Sequence, residues 1–113
     1  MRGRRIRRVR SEATTETERL RRRASKHARR GDYRKAALSL RQLVALDGRP
    51  RTWVAFGAML QRARRDTEAL AAYKQGLFLL RRAGNDRRAA VVARLILALD
   101  PNEPCAARVL QTG

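Results

Sequence analysis

Trp53-Val54-Ala55-Phe56-Gly57-Ala58-Met59-Leu60, followed by Ala69-Leu70-Ala71-Ala72-Tyr73, is the stretch on which the fold turns. Its large apolar residues recur three and four positions apart, the spacing of one helix face. Two helices approach closely where small residues such as Gly57 and Ala69 face each other, and Trp53, Phe56, Leu60 and Tyr73 then fill the space around that contact. Upstream, Gly31-Asp32-Tyr33 with Ala36 and Leu40 repeats the second part of the pattern. Ala36 to Ala69 and Leu40 to Tyr73 are both 33 residues. A fixed period of this size marks helical units that bury a shared core only by stacking.

Working outward, Thr15 and Glu18 are spaced as a capping box for a first helix, on which Leu20, Ala24 and Ala28 share a face and which Gly31 ends. Asp32 is placed to cap the next helix, and Asp47-Gly48-Arg49-Pro50 closes that pair. Pro50 suits the first turn of the following helix, and Asp66 and Glu68 put negative charge at the start of the next. After Ala83-Gly84-Asn85-Asp86, the apolar run from Arg87 to Leu99 ends in Asp100-Pro101-Asn102, and a short last helix covers about 103–111. Ala69 to Ala89 is only 20 residues, so the third unit is irregular, as though its first helix had merged into the helix before it. The expected organisation is a disordered arm over 1–14 and one all-α domain over 15–112, with units at about 15–48, 50–83 and 86–112.

Trp53-x2-Phe56-Gly57-x2-Leu60 with Ala69-x3-Tyr73 resembles the signature of the tetratricopeptide repeat family. The resemblance implies a short right-handed solenoid of helical hairpins that binds a protein partner and performs no chemistry. It also implies that ligands lie along the concave face made by the first helix of each repeat. In register with the motif, that face presents Glu18, Arg21, Arg22, Ser25 and Arg29, then Arg51, Val54, Ala55, Ala58, Gln61 and Arg62. Arg21, Arg22, Ser25, Arg29, Arg51, Gln61 and Arg62 are therefore the candidate groove residues. A basic groove with an apolar centre suits an acidic or amphipathic segment, since arginine offers paired donors to a carboxylate. The clamp for acidic chaperone tails found in the family is not reproduced, because Ala55 stands where its second Asn would be.

Charge dominates the composition: 28 Lys and Arg, 25 of them Arg, oppose 10 Asp and Glu, for a net charge of +18. Arg2, Arg4, Arg5, Arg7, Arg8 and Arg10 make a basic arm, suited to counterion release on a nucleic acid or to attraction by an anionic membrane surface. The single histidine, His27, precludes a catalytic His pair or a zinc set within the chain, so no metal or cofactor is expected. Asp32, Asp66, Asp86 and Asp100 sit at helix boundaries and read as caps, which leaves no carboxylate pair for acid–base work and predicts a protein without enzymatic activity. Cys105, the one cysteine, reads as a small apolar filler in a reducing cytoplasm. Val91, Val92, Leu95, Ile96, Leu97 and Leu99 cover more than one stripe of their helix, which makes Ile96, Val109 and Leu110 candidates for an apolar interface with a like or unlike subunit.

Together these features favour an adaptor that docks a partner segment within a larger bacterial assembly. The alternatives are an RNA- or ribosome-associated protein acting through its arginine arm, and an oligomerising subunit of a membrane-associated machine.

Overall fold

The computed structural model describes the backbone of residues 2–112 and the side chains of residues 15–111. The described residues form six helices: α1 (Arg2–Arg29), α2 (Tyr33–Leu46), α3 (Pro50–Arg62), α4 (Asp66–Arg82), α5 (Asp86–Leu99) and α6 (Pro104–Thr112). No helix among the described residues is long and apolar enough to cross a membrane. Each helix packs chiefly against its neighbours in sequence. The furrow between α1 and α3 is floored by α2, whereas that between α2 and α4 is floored by α3. Over α1–α4 the helices thus alternate between two rows, in a body 55 × 33 × 17 Å across.

Three of the inter-helix turns are one structure used three times. Gly31, Arg64 and Gly84 take left-handed backbone angles, φ 77°, 64° and 71°. In each case the next N–H donates to a carbonyl five residues back: Asp32 to His27 at 2.8 Å, Arg65 to Leu60 at 2.9 Å and Asn85 to Leu80 at 2.9 Å. This Schellman arrangement satisfies the last carbonyls of one helix while its final residue starts the next. Asp32 and Asn85 then accept from Lys35 N and Arg88 N with their side chains, and Ala36, Ala69 and Ala89 follow, all buried.

The first two turns are 33 residues apart, as the motif spacing predicts, but the third follows after only 20. The structure shows why. α4 is 17 residues long and is bounded by this same turn at both ends, so it is the second helix of a hairpin with α3 and the first of a hairpin with α5. The longer repeat is then 53 residues, from Gly31 to Gly84. It extends to the chain reversals beyond, where Asp47 (φ −135°, ψ 87°) and Asp100 (φ −140°, ψ 92°) close α2 and α5 alike. α4–α5–α6 therefore repeats α1–α2–α3.

One hydrophobic core runs through all six helices: Leu20 and Ala24, Leu40 and Leu43, Phe56 and Leu60, Tyr73 and Leu77, Val92 and Ile96, and Ala106. α3 and α4 pack tightly at Gly57, where a Cβ would lie 2.7 Å from the Tyr73 ring. Gly76 meets Val54 in the same interface.

Three expectations are corrected. The proposed start of α1 at Thr15 is not a helix start: the backbone helix runs from Arg2 to Arg29. Arginine is a good helix former, and adding turns to a packed helix avoids the cost of nucleation. The side chains of the expected arm, from Arg2 to Arg10, lie outside those described. Ile96 is fully buried, because α6 folds back on α5 and packs Val109 and Leu110 half-buried against the core. Cys105 is exposed and fills no core position.

Candidate functional site

The furrow between α1 and α3 contains the centre of the face that the motif register marks out. Arg21, Ala24, Ser25 and Ala28 recur along one side of α1, and Arg51, Ala55, Ala58 and Met59 along one side of α3, both at helical spacing. Leu40 and Leu43 of α2 form the floor, and the space enclosed is about 400 Å³. Small residues on both walls keep the furrow open, and the two arginines stand on its walls. The result is an apolar trough with cationic edges.

Arg21 is not free. Its guanidinium pairs with Asp47, which also receives the Arg49 side chain at 2.7 and 2.8 Å. The hydrogen bond from Arg49, aided by the charge of Arg21, holds the Asp47 carboxyl below its ordinary value. Asp47 thus ties α1 to the α2–α3 junction and also occupies one of the groove's cations. Arg51 is exposed and, among the described residues, forms no ion pair. It is the cation most available to a ligand carboxylate.

The remaining candidates are placed differently. Arg22 is exposed on α1 outside the groove lining and pairs loosely with Glu18 at 3.9 Å. Arg29 is exposed near the end of α1, also outside the lining. Gln61 and Arg62 are engaged within the chain: Gln61 Oε1 accepts from the Tyr73 hydroxyl at 2.9 Å, and Arg62 lies over the Tyr33 ring while donating to its hydroxyl at 3.2 Å. Burial pushes the Tyr73 phenol pKa up, so Gln61 faces a neutral hydroxyl and serves the α3–α4 contact. Of the seven groove residues read from the register, Arg21, Ser25 and Arg51 share the furrow.

Sequence reasoning missed a second polar centre at the start of α6. Glu103 is 4% exposed; its carboxylate accepts from Ala106 N at 2.7 Å and faces Lys74 Nζ at 3.7 Å. It caps the helix, and its charge is offset by the helix dipole and by Lys74. The signal was the Glu-Pro pair at 103–104, a residue able to cap followed by proline in the first turn. On the even-numbered row, Glu68 bridges Arg65 at 3.1 Å and Arg41 at 2.9 Å, and the Arg65 hydrogen bond leads in lowering its pKa.

No group of three or more metal-binding side chains occurs among the described residues. Comparison with protein-family models and with curated protein sequences returns no match.

Proposed function

We propose that this chain is a small tetratricopeptide-like adaptor whose α1–α3 groove docks an acidic or amphipathic segment of a protein partner, in the cytoplasm and within a larger assembly. The observation that carries the reading is the groove itself: an apolar floor of Leu40 and Leu43 between walls that bear Arg21 and Arg51. An apolar side chain of the ligand enters the trough, and a carboxylate beside it meets Arg51 through paired N–H donors. The net charge of +18 accelerates encounter with an acidic partner over distances up to the screening length. What supports the tetratricopeptide-like reading is the Trp53–Tyr73 motif, carried on the α3–α4 hairpin.

The test is retention of a partner from nuclease-treated native lysate by three tagged forms: the full chain, Arg51→Glu, and a deletion of residues 1–12. An adaptor keeps one dominant protein after the deletion and loses it on Arg51→Glu. Nucleic-acid binding through Arg2 to Arg10 gives the reverse, with retention that the nuclease or the deletion removes and that falls steeply with salt.

A further inference from the structure

The 53-residue repeat places a second groove where α4 and α6 stand as α1 and α3 do in the first. Lys74 corresponds to Arg21, Phe78 to Ser25 and, one residue further on, Cys105 to Arg51. The equivalence is physical as well as numerical: Leu20 and its counterpart Tyr73 are both buried, as are Leu43 and Ile96. The space there is about 400 Å³, lined by Lys74, Leu77, Phe78, Arg81 and Arg82 of α4 and, on the α6 side, by Cys105. Its chemistry differs from that of the first groove. Phe78 is 53% exposed in a structure that buries its other large aromatic side chains more fully. Arg82 lies 5.7 Å from its ring centre. Neither Arg81 nor Arg82 has a carboxylate partner among the described residues, whereas Lys74 faces Glu103.

We propose that the α4–α6 groove is a second docking site, for an acidic peptide segment that sets an apolar side chain against Phe78 and Leu77 and carboxylates against Arg81 and Arg82. Charge complementarity selects this occupant: the groove's free rim is wholly cationic and its centre is an exposed aromatic ring. The site stands on its own geometry and does not require the α1–α3 groove to be occupied.

Cys105, exposed and the only cysteine, is a built-in reporter. The probe is a fluorescein-labelled helical peptide with two leucines four residues apart among glutamates, added to the full chain. Saturating peptide is expected to slow the reaction of Cys105 with a thiol-specific disulfide reagent by about fivefold or more, as a covered side chain requires. Phe78→Ala and Arg81→Glu are each expected to weaken binding about tenfold, the loss typical of a central anchor. Both substitutions are on the surface, and circular dichroism checks that the fold is kept. Arg51→Glu leaves the protection of Cys105 unchanged, which separates this site from the first groove. An unchanged Cys105 rate at saturating peptide overturns the proposal, as does unaltered affinity in Phe78→Ala. So does protection by vesicles of anionic phosphatidylglycerol without protection by peptide, or protection that rises with protein concentration alone, which marks a contact between two copies of the chain.

Discussion

At the scale of single residues, Gly57 has the least room of the described glycines. A methyl group there meets the Tyr73 ring at 2.7 Å, and that ring is held by burial on all sides and by its hydrogen bond to Gln61. Neither helix can retreat without opening the α3–α4 interface. Gly57→Ala is therefore expected to destabilise by about 1–3 kcal/mol, the usual cost of overpacking a filled core, despite alanine's better helix propensity. Thermal or urea denaturation checks it, and a variant as stable as the parent contradicts the packing described. This contact was legible in the sequence, because a glycine between Phe56 and Leu60 on an apolar face has few other reasons to be there. The engagement of Gln61 and Arg62 was not. Register places a side chain on a face but does not say whether a nearer partner, here Tyr73 or Tyr33, takes it first.

Among the helices and their turns, Arg64 is the exception in a set of three. Gly31 and Gly84 hold the left-handed position of the other two turns, where a side chain costs roughly 1–2 kcal/mol and glycine escapes that penalty at some cost in chain entropy. Arg64→Gly should thus raise stability by about 0.5–1 kcal/mol, read as a higher denaturation midpoint at unchanged slope. A lower midpoint would show that the Arg64 side chain contributes more than its backbone loses. The 33-residue spacing was read because it carries the Trp53–Tyr73 motif. The 53-residue spacing was legible too: Gly31 and Gly84, Ala36 and Ala89, Arg41 and Arg94, and Ala45-Leu46-Asp47 and Ala98-Leu99-Asp100 are the same residues. It was missed because it spans three helices and so falls outside the period of a two-helix unit, and because its outer helices pair unlike residues, Leu20 with Tyr73 and Ser25 with Phe78. The start of α1 at Arg2 instead of Thr15 was missed because propagation from a packed helix depends on what lies next to a segment and not only on its composition.

For the molecule as a whole, the scarce carboxylates hold helices together within a large excess of positive charge. Asp47 links α1 to the α2–α3 junction and Glu68 links α2 to α4, and both have lowered pKa values. A lowered folded-state value means that their contribution is present above the ordinary carboxylate range of about 4 and is lost as pH falls through the folded value. Below that point the ion pairs open while self-repulsion among the arginines rises. The melting temperature should accordingly fall steeply below about pH 4, and Asp47→Asn should flatten part of that fall. Added salt should recover some of the loss by screening repulsion. A flat profile from pH 6 to pH 3 would show that these pairs contribute nothing to the fold.

Because α4 belongs to two hairpins at once, the two grooves do not line up. The first lies between odd-numbered helices and the second along an even-numbered one. If both take peptides as proposed, a single ligand segment cannot run straight from one into the other and has to cross from one row of helices to the next on its way. Two separate segments meet no such demand, so simultaneous occupancy would favour bridging two ligands over tightening the hold on one.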